Sequence, residues 1–314
     1  MIRFGLCCIF RKVPIRFRRT TAKHLSQFGR ARQLAILGEI ATHNAQSLYR
    51  ALQFCHTSGI GAFRINSQIL PLKTHPQVGY DISDLPDHRG IVATFERCGD
   101  FAREHDLRTT FHPDQFILLN SPRTEVVARS IADLVYQAEV ADWVGADVIN
   151  IHGGGAYGDK PAALKRLSRA IERLPSSVRQ RLTLENDDRL YTPRDLMPVC
   201  QAVEVPLVYD VHHHRCLPDG LSEATATEAS MATWHREPLF HLSSPAAGWG
   251  EGNPRPHHDF IDPADMPPTW RHLDRKVTAV SYTHLRAHET ILPISYAVLC
   301  VKKRGGGGGG GGGG

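Results

Sequence analysis

No cysteine pair in this 314-residue chain is spaced as CxxC, and its seven cysteines (Cys7, Cys8, Cys55, Cys98, Cys200, Cys216, Cys300) lack the density of a disulfide scaffold. A zinc finger is therefore excluded, and reduced thiols in a cytoplasmic protein are expected. Long apolar runs are missing too. The N-terminal one, Phe4 to Phe10, stops at Arg11 and Lys12, well short of the roughly 20 residues a bilayer needs, so neither a membrane span nor a secretory signal is expected. With 41% hydrophobic and 22% charged residues, collagen, coiled coil and wholesale disorder are excluded. Acids are absent before Glu39, whereas Arg3, Arg11, Lys12, Arg16, Arg18, Arg19, Lys23, Arg30 and Arg32 all precede it. Such a block suits a polyanion, and phosphate contacts through Arg11 and Arg18 are expected; a transit peptide is the lesser alternative, because the strand-like Ile2–Leu6 lies inside the block.

The end of the chain has an unusual order of segments. Val280 to Thr290 resembles the conceptual translation of a sequencing-library adaptor, Ile294 to Val298 resembles the adaptor beyond its index, and Gly305 to Gly314 is a glycine run. Residues 280–314 are therefore expected to be a disordered, non-native tail, and residues 1–279 the folded domain. Setting the tail aside removes Arg286, Lys302, Lys303 and Arg304 against Glu289, which takes most of the formal +5 charge with it.

Within the body, helical and strand patterns alternate. Leu34, Leu37, Ala41, Ala45, Leu48, Leu52 and Cys55 recur at steps of three and four, which predicts an amphipathic helix ended by Gly59 and Gly61 before the apolar Ala62–Ile65. Further helix–strand pairs are predicted at 92–105 and 107–111, 125–144 and 147–151, 162–174 and 182–184, 194–203 and 207–209, and 221–233 and 238–242. With Ile2–Leu6 that makes seven strands, and an eighth begins near Val277. Short buried strands separated by helices predict a parallel sheet, here a (β/α)₈ TIM barrel incomplete at strand 8 and helix 8. An open doubly wound sheet lacks support, since no GxGxxG follows a strand.

Nearly every strand ends in side chains that bind metals: Phe111-His112, Ile151-His152, Leu184-Glu185, Tyr209-Asp210 with His213, and Phe240-His241. His75 and His257 lie in the loops after strands two and seven. A parallel barrel brings these ends to one mouth. Any single histidine is more simply a hydrogen-bonded core or loop residue, but five consecutive strands repeating the coincidence point to a site. Imidazole with carboxylate suits Zn²⁺, Mn²⁺ or Fe²⁺, and so many ligands exceed the needs of one ion. Two or three ions sharing carboxylates are expected, an arrangement suited to phosphodiester hydrolysis. His212 and His214 are expected on a strand, alternating with the ligands.

The motifs Leu70-Pro-Leu-Lys-Thr-His-Pro76, Phe111-His-Pro-Asp-Gln-Phe116, Ile149 to Gly158, Leu182-Thr-Leu-Glu-Asn-Asp-Asp188, Tyr209-Asp-Val-His-His213 and His241-Leu-Ser-Ser244, in this order, resemble those of the UV damage endonuclease family, TIM-barrel relatives of endonuclease IV. The resemblance covers residues 1 to about 279. It implies a DNA repair enzyme that nicks double-stranded DNA immediately 5′ to ultraviolet photoproducts, and at abasic sites, with divalent metal: Mn²⁺ first, Zn²⁺ or Mg²⁺ as alternatives. It implies the ligands His75, His112, His152, Glu185, Asp210, His213, His241 and His257, with Glu185, Asp210 and His241 central to the reaction. Gln115 and Phe116 become the pair that probes the lesion. Some members carry a tyrosine where Leu6 stands and a lysine where Leu239 stands, and the family's metal-binding glutamate on strand eight has no match before the tail. A barrel open between its first and seventh strands, with little or no nicking from the chain as written, is therefore expected; a monomer is expected as well. A metal-dependent sugar isomerase-like barrel shares the His, Glu and Asp mouth but not the basic front or the HPDQF loop, and a non-catalytic binder of damaged DNA is the remaining alternative.

Overall fold

The computed structural model describes residues 1–7, 10, 13–113, 116–250 and 252–281. Eight parallel strands close a barrel in sequential order: β1 Ile2–Leu6, β2 Ala62–Ile65, β3 Arg108–Phe111, β4 Val148–His152, β5 Leu182–Glu185, β6 Leu207–Asp210, β7 Leu239–Leu242 and β8 Val277–Ser281. The helices between them are α1 Ala22–Leu25, α2 Arg30–Thr57, α3 His88–Glu104, α4 Thr124–Val144, α5 Lys160–Glu172, α6 Ser176–Arg179, α7 Pro193–Val203, α8 Val211–Cys216 and α9 Glu223–Ala232. Local chemistry fixes their ends. Thr192 and Asp195 form a reciprocal capping box ahead of Pro193, and Gly145 closes α4 in the left-handed conformation at φ +67°.

The expected gap at strand eight is not there. β8 pairs with β1 from Ile2↔Val277 to Leu6↔Ser281 and with β7 from Leu239↔Thr278 to Leu242↔Ser281. Val280 and Ser281 thus belong to the barrel, two residues past the expected boundary; residues 282–314, which hold the rest of the expected tail, lie outside the described residues. An ion-pair network below the strands anchors this closure. Arg3 on β1 donates to Glu237 Oε1 at 2.9 Å and to Asp106 Oδ1 at 2.9 Å, Lys276 reaches Asp106 Oδ2 at 2.9 Å, and Thr278 Oγ1 donates to Glu237 at 2.5 Å.

The same network engages part of the basic block. Arg3 is engaged at the barrel base rather than on phosphate, and Arg16 Nη1 donates to the carbonyls of Phe10, Val13 and Ile15, which folds the N-terminal loop on itself. Arg18, Arg19 and Lys23 remain exposed. Arg18 is held by its backbone, whose N–H and carbonyl bond the Asn44 side chain of α2 at 2.7 and 3.0 Å, while Arg11 lies outside the described residues.

Strand alternation produces two cores. Outward residues such as Phe63, Phe111, Ile151, Leu184 and Phe240 pack beneath the helices, whereas Val148, Val208, Leu239, Val280 and Cys7 form a second apolar cluster with Trp234. Leu6 belongs to the outer core and is fully buried, so it cannot stand in for a DNA-probing tyrosine.

Candidate metal centre

Above the inner cluster, the next inward positions carry the polar residues. Each lies two residues beyond an inner-core or hydrogen-bonding position: Asn150 then His152, Thr183 then Glu185, Val208 then Asp210, Leu239 then His241. Pairing aligns His152 with Glu185 and Asp210 with His241. His112 follows β3 directly.

Glu185 is the hub. Its side chain is fully buried, with Oε2 2.7 Å from His112 Nε2 and Oε1 2.9 Å from His241 Nδ1. Asn150 Nδ2 also donates to Oε2, and the Asn150 side-chain oxygen accepts from Thr183 at 2.9 Å, which fixes the amide's orientation. Burial alone would raise the Glu185 pKa, but the imidazoles of His241, His152 and His112 hold the carboxyl well below the usual carboxylate range.

Asp210 caps α8: its Oδ1 accepts from the His213 N–H at 2.9 Å, which turns the chain so that the His213 ring comes back over the mouth. His213 Nδ1 is 2.9 Å from the Asn186 carbonyl oxygen and 3.5 Å from both Glu185 Oε1 and Asp210 Oδ2. Asn186 in turn brackets the Asp210 backbone, accepting from its N–H and donating to its carbonyl, each at 2.9 Å. Burial works against the protonated His213 ring, but the carboxylates of Asp210 and Glu185 prevail and raise its pKa.

Two groups form, His112–His152–Glu185 and Glu185–Asp210–His213, and within each the donor atoms all lie within 4.8 Å of one another. They share Glu185. The donor set fits divalent ions on further grounds: His152 Nδ1 and Asp210 Oδ2 are buried without a hydrogen-bond partner, and burial, reinforced by the charge of Arg64, holds His112 well below its usual pKa and so keeps a neutral imidazole lone pair. His241 and His257 flank these groups. The His241 ring lies 5.6 Å from that of His112, and the His257 ring 5.5 Å from that of His213. Burial lowers the His257 pKa to about 4, which leaves that ring neutral as well.

The two donor groups do not include His75. Its Nδ1 faces the N–H groups of Gln77 and Val78 at 3.2 and 3.4 Å, so its own loop engages it, and it lines a cavity of about 360 Å³ that also includes Phe116, Lys73 and Tyr136. Among the described residues it makes no ring contact with the other histidines. Phe116 is 75% exposed on the loop after β3; Gln115 lies outside the described residues. β8 offers Thr278 and Val280 to the interior, Val280 beside His241, so no strand-eight carboxylate joins the site among the described residues.

Several site residues escaped the sequence. Asn150 bonds the Glu185 carboxylate and Asn186 the Asp210 backbone, and Asn150 could have been found from its period-two spacing to His152. His212 and His214 sit on α8 rather than on a strand, because Asp210 is a helix cap. His214 is a structural clamp between Tyr209 Oη at 2.8 Å and Asp219 Oδ1 at 3.0 Å.

A closed parallel barrel with buried carboxylates and imidazoles converging at the C-terminal mouth is the architecture of a barrel enzyme, and its donor groups could hold divalent ions. Within that class, the sequence matches the family described as UV-endonuclease UvdE over residues 2–283, and the chain belongs to this family; it is an endonuclease. A UV DNA damage endonuclease of Bacillus velezensis is 34% identical over 273 residues, covering 83% of this chain and 82% of the relative. One from Bacillus cereus is 34% identical over 250 residues, 77% of this chain and 75% of the relative. Among solved structures, SacUVDE superposes with a TM-score of 0.81 at 25% identity, over 97% of this chain and 99% of its own. Endonuclease IV from Thermus thermophilus (TM-score 0.60, 16% identity, 95% of this chain and 99% of its own) and a D-psicose 3-epimerase from Clostridium cellulolyticum (0.56, 12%, 96% and 98%) share the fold alone. The sugar-enzyme alternative is therefore a likeness of barrel, and family membership decides against it.

Proposed function

We propose that the chain, as a monomer, nicks double-stranded DNA immediately 5′ to ultraviolet photoproducts, and also at abasic sites, with two or three divalent ions, Mn²⁺ first. The observation that carries this is Glu185, a fully buried carboxylate common to two groups of metal donors. His112, His152 and Glu185 would hold one ion and Glu185, Asp210 and His213 a second, with His241 and His257 at the margin. Bound there, the ions supply water activation and charge neutralisation at phosphorus. The chain's own residues do the rest. Asn150 keeps the Glu185 carboxylate in place, Asn186 holds the Asp210 backbone, and Arg18, with its exposed neighbours Arg19 and Lys23, binds phosphates without regard to sequence. Phe116, with Gln115 beside it, enters the stack where the photoproduct has already weakened it, so recognition rests on deformability.

A duplex carrying one cyclobutane dimer and a 5′ end label tests the assignment: cleavage is expected at the phosphodiester directly 5′ to the dimer, and cuts elsewhere, or equal cutting of the intact duplex, would sink it. Phe116→Ala should lower binding of the damaged duplex about 5- to 150-fold and leave binding of the intact duplex within about twofold, because stacking contributes roughly 1–3 kcal/mol per base whereas phosphate contacts persist. Equal losses on both duplexes would make Phe116 a packing residue.

We also propose that residues 282–314 are a non-native tail, and that this chain works below its family's full rate because no glutamate stands on β8 among the described residues. A chimera that continues β8 after Ser281 with a family-type segment carrying a glutamate should nick about 10- to 100-fold faster, the scale on which supporting groups tune metal sites. Equal rates would show that the tail costs nothing.

A further inference from the structure

Four large apolar side chains stand exposed on the loops that leave the strand ends at the mouth: Phe116 after β3, Tyr157 after β4, Leu190 after β5 and Trp249 after β7. Exposed apolar area gathered around a site marks a binding surface. Trp249 is the one whose setting is fixed. Its Nε1 donates to Asp265 Oδ1 at 2.7 Å, the Arg215 guanidinium lies 5.7 Å from its ring centroid, and the His212 ring packs 5.2 Å away at 45°; the residue is nevertheless 40% exposed. Its neighbours Gly248 and Gly250 adopt φ +83° and +91°, a conformation that side chains with a Cβ avoid.

Its position matters. In the closed strand order β3 and β7 are separated by three strands on either side, so Phe116 and Trp249 stand on opposite sides of the mouth. A run of rings crosses between them: Trp249 to His212 at 5.2 Å, His212 to His213 at 6.2 Å, His213 to His152 at 5.8 Å and His152 to His112 at 5.0 Å, with Phe116 four residues further along. His212 is fully buried, and its Nε2 has no hydrogen-bond partner. The metal groups do not include it, and its ring lies beneath the indole as a support.

We infer that Trp249 is a second recognition residue, a preformed platform on which one extruded nucleobase of the damaged strand stacks. The inference rests on the DNA substrate proposed above. A base suits the indole because every base presents a π face, and a platform already held by Asp265 and His212 loses little freedom when a base arrives. The platform opens on the mouth that must receive the lesion. An intact duplex keeps its bases stacked inside and offers it nothing.

The test uses fluorescence of the full chain in EDTA, where binding proceeds without cleavage. Of the four tryptophans, Trp234 and Trp270 are buried and Trp143 is half-buried, so quenching by a stacked base reports Trp249. Single-stranded oligothymidylate and a duplex with one cyclobutane dimer should quench; the same duplex intact should not. Trp249→Phe should abolish the quenching and keep affinity for the damaged duplex within about twofold, whereas Trp249→Ala should weaken that affinity about 5- to 150-fold. Equal quenching by the intact duplex, or wild-type affinity in Trp249→Ala, would overturn the platform. If irradiated plasmid is nicked normally in either of those cases, the platform fails and the endonuclease assignment stands; if no DNA binds or is cut, both fail.

Discussion

Glu185→Gln should lower nicking of irradiated DNA at least about 10³-fold, equivalent to ~4 kcal/mol of transition-state stabilisation. The substitution keeps the shape of the side chain and removes the charge that both donor groups share. It also sets an amide between His112 Nε2 at 2.7 Å and His241 Nδ1 at 2.9 Å, so that one imidazole meets an N–H donor where a carboxylate oxygen accepted before. The fold should survive. The amide keeps the shape of the carboxyl and can still accept hydrogen bonds at its oxygen, so the metal-free melting temperature should move by less than about 5 °C. Rate assays beside thermal melts check this, and a variant that nicks within tenfold of wild type would remove Glu185 from the reaction.

Trp270→Ala should destabilise the protein by about 3–5 kcal/mol. Trp270 lies on a 3₁₀ turn, Pro268–His272, in the long segment between β7 and β8, is 1% exposed, and covers the outer faces of two site-bearing strands. Its ring stacks on Phe240 of β7 at 5.0 Å, meets Tyr209 of β6 edge-on at 6.4 Å, and its Nε1 donates to Thr227 Oγ1 of α9 at 2.9 Å. Truncation leaves a cavity beside the residues next to Asp210 and His241 and removes one hydrogen bond from the Thr227 hydroxyl, which still donates to the Glu223 carbonyl at 2.7 Å. Denaturant unfolding reads the effect; a loss below about 1 kcal/mol would show that the segment between β7 and β8 is not part of the cooperative core.

Much of the fold was legible because the barrel writes a local signal. Each buried strand is a short apolar run, and each run ends on a polar residue that the period-two alternation turns inward. That is how His112, His152, Glu185, Asp210 and His241 declare themselves one strand at a time. Closure by β8 was harder to see, because it depends on partners far away in sequence: Arg3 meets Asp106 and Glu237, and no window of residues contains all three. Helix α8 was hidden for a different reason. Six residues are too few for a period, and its only signal is Asp210 used as a cap, a role that competes on paper with its role as a ligand. The turn of the His75 loop was not legible either, since it depends on the backbone amides of Gln77 and Val78 that engage the ring.

Nicking of ultraviolet-irradiated supercoiled plasmid after exhaustive chelation, then after addition of Mn²⁺, tests the metal-centre assignment most directly. We expect the chelated protein to leave the irradiated plasmid supercoiled, Mn²⁺ to restore conversion to open circles, and unirradiated plasmid to stay intact under both conditions. Undiminished nicking by the chelated protein would contradict the assignment.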